Sequence, residues 1–133
     1  MRVHPLVLLI DDEEIFLEMA SMKLREDGFE VEITHTVTEA LTKAEESQPD
    51  LILSDIYMPP GPNGWELALA VRRNPKLKNI KFAFFTSLRD PAPEIPLAER
   101  AEVKNELKEI PVFSKTDDLG SLDERVRFFL EEK

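Results

Sequence analysis

Four short apolar runs recur along the chain, with amphipathic stretches between them. They are LVLLI at residues 6–10, LIL at 51–53, IKFAFF at 80–85 and IPVF at 110–113. Runs that are apolar on both faces are typical of buried strands in parallel sheets, because helices cover both sides of such sheets. The segment from Phe29 to Ile33 instead alternates apolar residues with glutamates, which predicts a half-covered edge strand. Five strands alternating with helices predict a doubly wound α/β sheet.

Helical patterns fill the gaps between these strands. The first covers residues 13–27, where Ile15, Met19 and Met22 line up along one face, and Gly28 follows as a C-terminal cap. The other clear helices are predicted over residues 37–47 and 65–73, and around the apolar face of Leu122, Val126, Phe129 and Leu130.

The segment from Asp90 to Glu109 has a weaker pattern. Its first part contains three prolines, which delay the start of a helix. Only then do Leu97, Ala101 and Leu107 offer an apolar stripe. We therefore expect a fourth helix with a remodelled approach.

Size and composition limit the classes of protein that fit. A chain of 133 residues with 42% hydrophobic content suffices for one core, so we expect one domain over residues 1–133 with no output domain. The 27 acidic and 17 basic residues give a net charge of −10, which argues against nucleic-acid binding. With no cysteine and no apolar run near the start long enough for a membrane span, a cytoplasmic protein is predicted.

Polar residues follow the predicted strands where each one ends. They are Asp11, Asp12, Asp55, Thr86 and Lys115. Ligands of open α/β sheets collect beyond the carboxyl ends of the strands, so these side chains are expected to meet. Each carboxylate pair would repel by roughly 4 kcal/mol at 4 Å and an effective dielectric constant of about 20, so a cation is expected among them.

This set of side chains indicates phosphoryl chemistry. Oxygen ligands without histidine or cysteine favour Mg²⁺ or Mn²⁺. Lys115 offers a point charge for a phosphoryl oxygen, and the Thr86 hydroxyl can donate to another. A carboxylate nucleophile that receives a phosphoryl group fits these ingredients.

The motifs LVLLIDDEE, PDLILSDIYMPPGPNGWEL, FFTS and FSK, in this order, resemble the receiver domains of bacterial two-component response regulators. Each motif is weak alone, but their separations of 43 residues (12 to 55), 31 (55 to 86) and 29 (86 to 115) make the set specific. The resemblance implies a CheY-like, flavodoxin-like sheet with strand order 2-1-3-4-5. It also implies a signalling domain rather than an enzyme, acting as a monomer or weak dimer.

The resemblance further implies a role for each matching residue. Asp55 would accept the phosphoryl group from a histidine kinase or a phosphotransfer protein. Mg²⁺ would be bound by Asp55, by Asp12 directly, by Asp11 through water and by the backbone carbonyl of Tyr57. Thr86 and Lys115 would contact the phosphoryl group. A downstream protein would read the state of the domain at the fourth helix, fifth strand and fifth helix, including residues 94–108.

Three features depart from the family pattern. The loop MPPGPNG is one residue longer than usual, and the span from Thr86 to Lys115 is also lengthened. Thr116 stands where the family commonly has proline after the lysine. Val112 occupies the place of the aromatic switch residue, and Phe113, one residue on, points to the other face of a strand and is expected in the core.

Three alternative functions remain open. A phosphohydrolase that forms an aspartyl phosphate would need a second aspartate two residues after the nucleophile, where this chain has Tyr57. A flavodoxin-like cofactor binder would need a Ser/Thr/Gly-rich phosphate loop, where this chain has four acids, at residues 11–14. A pseudo-receiver would use the same fold for docking without phosphorylation. His4 and His35 are expected at the surface or as caps, and Trp65 is expected to pack at a helix start.

Overall fold

The computed structural model describes residues 4–87, 95, 100–116 and 119–131. In this part of the chain, five strands alternate with five helices. The strands are β1 (Leu6–Ile10), β2 (Glu30–Thr34), β3 (Leu51–Ser54), β4 (Lys81–Thr86) and β5 (Val112–Ser114). The helices are α1 (Glu14–Glu26), α2 (Val37–Ser47), α3 (Gly64–Arg73), α4 (Arg100–Leu107) and α5 (Leu122–Glu131), the last preceded by a 3₁₀ turn over Leu119–Ser121.

All neighbouring strands pair in parallel, in the order β2-β1-β3-β4-β5. The predicted doubly wound sheet and its strand order are therefore confirmed. The edge position predicted for the alternating second strand is confirmed as well, with Glu30 exposed and Phe29, just before the strand, buried.

The core consists of two apolar clusters that share the strands. Leu8 and Ile10 of β1 pack in a cluster with buried residues of α2, α3 and α4. Val7 and Leu9, the alternating residues of the same strand, pack with buried residues of α1 and α5. This division explains the unbroken apolar run of β1, because successive side chains of a strand point to opposite faces and both faces are covered.

Helix α1 buries a different face from the one that its sequence suggested. Its buried residues are Leu17, Ala20, Ser21 and Leu24. Ile15, Met19 and Met22, which lined up in the sequence, are 63%, 43% and 62% exposed. Both sets repeat at helical spacing, so the periodicity identified the helix without identifying its buried side. Gly28 follows the helix with φ +89°, which confirms the predicted cap.

The second half of the fold also corrects two predictions. In α4, Val103 and Leu107 are buried while Ala101 is exposed, so the predicted stripe was wrong at Ala101; Leu97 and the three prolines of this segment lie outside the described residues. Strand β5 begins at Val112 rather than at residue 110, although the Pro111 carbonyl accepts a hydrogen bond from the Phe84 N–H at 2.9 Å. Proline has no N–H to donate, so it suits the position just before a strand.

Two aromatic residues lie at the positions that the sequence predicts for them. Phe113 is buried and packs edge to face against Phe129, with ring centroids 6.2 Å apart. Trp65 is 6% exposed at the start of α3 and packs in the cluster of α2, α3 and α4. Among the helices of the described residues, none is long and apolar enough to cross a membrane.

Candidate functional site

Backbone hydrogen bonds extend the sheet beyond the strand ends and bring the predicted residues to one edge. The Asp55 N–H donates to the Ile10 carbonyl at 2.9 Å, so Asp11 and Asp55 leave neighbouring strands side by side. The Lys115 N–H donates to the Thr86 carbonyl at 3.0 Å, which aligns the other two strand ends. The order of the parallel strands therefore brings these residues together, as the sequence predicts.

The Lys115 ammonium lies at the centre of this edge. Its Nζ is 2.7 Å from Asp11 Oδ2, 2.9 Å from Asp55 Oδ2 and 3.2 Å from Glu13 Oε1. The ammonium also lies 4.3 Å from the centre of the Phe16 ring, close enough for a cation–π contact. The side chains of Lys115, Asp11 and Asp55 are all nearly inaccessible to solvent.

Burial changes the proton affinity of two of these groups. Burial raises the pKa of Asp11 from 3.8 to about 6, against the lowering effect of its hydrogen bonds from Lys115 and the Glu13 N–H. Burial is the largest single influence on the pKa of Lys115 and would lower it, but the hydrogen bonds and charge attraction of Asp11 and Asp55 together outweigh it, so the pKa lies above its ordinary value. Lys115 is therefore a cation at any physiological pH.

Four carboxylates lie close enough together to hold a metal ion. Asp11, Asp12, Glu13 and Asp55 each offer an oxygen, and these oxygens lie within 4.8 Å of one another. We call this group the four-carboxylate cluster. Asp11 and Asp55 are buried, whereas Asp12 and Glu13 are exposed. A purely oxygen donor set that is half open to solvent fits Mg²⁺, which keeps several of its waters.

The loop after β3 fixes Asp55 by a close backbone approach. The Ile56 N–H donates to Asp55 Oδ1 at 2.7 Å, and the Gly64 N–H donates to the Ile56 carbonyl at 2.7 Å. A Cβ atom built on Gly64 would lie 1.9 Å from the Asp55 carbonyl oxygen. Only glycine fits at the start of α3, because any side chain would collide with the backbone of the residue that carries the candidate nucleophile.

The remaining predicted residues are placed as follows. Thr86 is buried at the end of β4. The ring of Tyr57 is exposed two residues after Asp55, and the proposed metal contact of its carbonyl stays a prediction. His35 lies at the surface with Nε2 2.8 Å from Glu14 Oε2, and His4 is exposed.

Two residues of the site were missed as functional candidates. In the sequence, Glu13 is one of four consecutive acids and Phe16 falls within the first predicted helix, and neither position indicates a role in the site. Both contact Lys115, which lies 102 residues after Glu13 in the chain. A contact between residues so far apart in the chain leaves no local pattern in the sequence. The one available signal was a long acidic side chain at a helix start, where short side chains are preferred.

Comparisons with known proteins identify the family of this chain. A family model described as the response regulator receiver domain matches residues 7–103. The DNA-binding response regulator MtrA of Mycobacterium tuberculosis is 38% identical over 66 residues, which are 50% of this chain and 28% of MtrA. The phosphate regulon regulatory protein PhoB of Rhizobium meliloti is 30% identical over 83 residues, 62% of this chain and 36% of PhoB. The matches thus span well under half of either regulator.

Solved structures give the same result over almost the whole chain. A putative response regulator from Chloroflexus aurantiacus superposes with a TM-score of 0.79 at 25% identity, covering 97% of this chain and 99% of that one. The chemotaxis response regulator CheY4 of Vibrio cholerae gives a TM-score of 0.76 at 26% identity, covering 95% and 98%.

The fold and the comparisons therefore define a signalling domain with a CheY-like sheet. This chain belongs to the response regulator receiver domain family of two-component systems. MtrA and PhoB extend well beyond the residues that match this chain. The expectation of one domain over residues 1–133 therefore stays a prediction.

Proposed function

We propose that Asp55 accepts a phosphoryl group in a Mg²⁺-dependent reaction and that the chain signals by changed partner binding. The observation that carries this proposal is the buried contact of Lys115 Nζ with Asp55 Oδ2 at 2.9 Å, beside the four-carboxylate cluster. A buried lysine in contact with the acceptor carboxylate is suited to neutralise the oxygens of a phosphoryl group arriving there.

Each residue of the site has a different role in this reaction. An Asp55 oxygen attacks phosphorus, and the bond between phosphorus and the leaving group of the donor breaks. Lys115 would neutralise one phosphoryl oxygen, and the Thr86 hydroxyl would donate to another. Asp11, Asp12 and Asp55 would hold Mg²⁺, with the Tyr57 carbonyl as a further proposed ligand, and the ion would supply charge neutralisation between carboxylates and phosphate.

Membership of the family implies a histidine kinase or a phosphotransfer protein as the phosphodonor. The expected absence of nucleic-acid binding is unconfirmed, since MtrA is a DNA-binding regulator. It stays a prediction for this chain, based on its net charge of −10. We propose that a downstream protein contacts the surface of α4, β5 and α5, because α4 and β5 follow Thr86 and α5 follows Lys115 in the chain.

Intact-mass measurement tests the proposal. The protein is incubated with Mg²⁺ and either acetyl phosphate or phosphoramidate, and the expected result is the addition of one phosphoryl group that hydroxylamine removes. Asp55→Asn should add none. Asp123→Asn is the matched control, because Asp123 lies on α5 beside Lys23 rather than Lys115, and it should be modified like the wild type.

The alternatives give different results in the same experiment. A pseudo-receiver would gain no phosphoryl group from either donor and would not bind Mg²⁺. A phosphohydrolase would turn over a phosphomonoester continuously. A phosphoryl group that persists on Asp55→Asn would show that another residue is the acceptor.

A further inference from the structure

Lys115 has no spare hydrogen for an incoming phosphoryl group. An ammonium has three N–H donors. In the described structure three carboxylates lie within hydrogen-bond distance of it, those of Asp11, Asp55 and Glu13. The Phe16 ring also lies within 4.3 Å of the ammonium. A phosphoryl oxygen can therefore bind Lys115 only if one of the three carboxylates leaves.

Glu13 differs from the other two partners in three ways. Its distance from Lys115 Nζ, 3.2 Å, is the longest of the three. Its side chain is 53% exposed, whereas those of Asp11 and Asp55 are 5% and 7% exposed. Its side chain also has one more rotatable bond than the side chains of the two aspartates. Glu13 is therefore the partner that can leave Lys115 at the smallest cost, because its carboxylate can turn into solvent.

The start of α1 shows that the Glu13 side chain is not occupied with capping. Glu13 is the N-cap residue of α1, with φ −98° and ψ 104°, and its carboxylate makes no cap hydrogen bond within the described structure. Ser, Thr, Asp and Asn are preferred at this position because their short side chains reach the first free N–H groups. The longer Glu13 side chain makes no such hydrogen bond, and its carboxylate contacts Lys115 instead.

We propose that Glu13 is the exchangeable partner of Lys115 and a determinant of phosphodonor preference. It holds Lys115 before phosphorylation, and the phosphoryl oxygen displaces it during the reaction. Because the Glu13 carboxylate is negative and stands at the entrance, it disfavours donors in proportion to their negative charge. This inference rests on Asp55 being the acceptor.

Two small donors of different charge separate this role from a structural one. Acetyl phosphate is doubly negative near neutral pH, and when Asp55 displaces its acetate the P–O bond breaks and acetate leaves with the electron pair. Phosphoramidate is singly negative with a protonated nitrogen, and ammonia leaves with the electrons of the P–N bond. Both reactions place the same phosphoryl group on Asp55, so only the charge and the leaving group of the donor differ.

The experiment compares the rate constants of the two donors for the wild type, E13Q and E14Q at saturating Mg²⁺. E13Q should react faster than the wild type with both donors, and the ratio of acetyl phosphate to phosphoramidate rates should rise. The expected rise is about threefold, from one unit of charge acting on one further unit at roughly 8 Å and an effective dielectric constant of about 60. Added salt should shrink this rise by screening.

E14Q is the matched control because it removes the same charge one residue further on. Glu14 is bonded to His35 and does not belong to the four-carboxylate cluster, so its variant should leave the rate ratio within a factor of about 1.5 of the wild type. An unchanged ratio in E13Q, or an equal rise in E14Q, would overturn the inference while leaving Asp55 as the acceptor. If neither the wild type nor either variant gained a phosphoryl group from either donor, the proposed function itself would be wrong.

Discussion

Helices α1 and α3 both begin beside Asp55, but their first turns are built differently. At α3 the Asn63 N–H donates to Glu66 Oε2 at 2.6 Å, as in a capping box, and the Asn63 amide oxygen accepts the Met58 N–H at 3.0 Å. At α1 the N-cap is Glu13, whose carboxylate contacts Lys115 rather than the helix. Hydrogen bonds therefore hold the start of α3 in place. At the start of α1 the N-cap side chain instead makes an ionic contact with Lys115 and no cap hydrogen bond.

The largest effect is expected where α3 meets the acceptor. In Gly64→Ala the new Cβ would lie 1.9 Å from the Asp55 carbonyl oxygen, so either the helix or the acceptor loop must move. We expect the free energy of unfolding to fall by at least about 3 kcal/mol and phosphorylation to be lost. Chemical denaturation and intact mass measure the two effects.

Gly61→Ala is the control for this prediction. No atom lies within 4 Å of a Cβ built on Gly61, and it belongs to the same loop. A change within about 0.5 kcal/mol is expected. If Gly64→Ala were as mild as Gly61→Ala, the start of α3 would not be fixed as described.

A smaller loss is expected when the cap of α3 is removed. Asn63→Ala deletes the amide oxygen that accepts the Met58 N–H, and we expect a loss of about 1–2 kcal/mol in denaturation. Asn79→Ala is a suitable control, since Asn79 is an exposed residue of the turn after α3. Equal stabilities of the two variants would contradict the importance given to this cap.

The α1 side of the site is expected to respond to pH through Asp11. Mg²⁺ needs the ionised carboxylate, and burial raises the pKa of Asp11 to about 6. Below that pH the apparent dissociation constant for Mg²⁺ should rise about tenfold per pH unit, which is roughly 1.4 kcal/mol per unit. Calorimetric titration at several pH values measures this dependence, and an affinity that is constant from pH 7 to pH 5 would contradict it.

Folding stability without metal should show the opposite sign. Since the folded state raises the pKa of Asp11 above its ordinary value of 3.8, it favours the protonated acid. This contribution is fully present below 3.8 and is lost as the pH rises through about 6. Asp11→Asn cannot ionise at this position and should lack this part of the pH dependence in denaturation at low metal concentration.

The smallest effect is expected to be a gain at the start of α1. Glu13→Asp keeps the negative charge near the helix N-terminus and introduces a short side chain that can cap it, but shortens its reach toward Lys115. We expect the free energy of unfolding to rise by about 0.5 kcal/mol. A loss of stability equal to that of Asn63→Ala would mean that Glu13 contributes more to folding than its exposed contact suggests.

The spacing of apolar residues predicted most of the fold, because side chains return to the same face every two residues in a strand and about every 3.6 residues in a helix. Strand β1 and helix α2 have the predicted limits, and the strand order agrees with the family resemblance. The buried side of α1 could not be predicted, since Ile15, Met19 and Met22 are as regularly spaced as Leu17, Ala20 and Leu24. Which stripe is buried depends on the sheet and α5, and this choice is made by tertiary packing.

The residues of the site that lie at strand ends could be predicted from the sequence. The contacts that long side chains make between these strand ends could not. Asp11, Asp55, Thr86 and Lys115 lie at neighbouring strand ends because the order of parallel strands places them there. The contact of Glu13 with Lys115 depends on the direction in which a flexible side chain turns. Local sequence does not determine that direction.

The packing of Trp65 behind Gly64 has a spectroscopic consequence. The chain has one tryptophan and one tyrosine, and these are Trp65 and Tyr57. Both lie within ten residues of Asp55, the indole buried and the phenol exposed. Near-ultraviolet absorbance, circular dichroism and fluorescence of the whole protein therefore originate mainly beside the acceptor, so the unmodified chain carries its own optical probe of this loop.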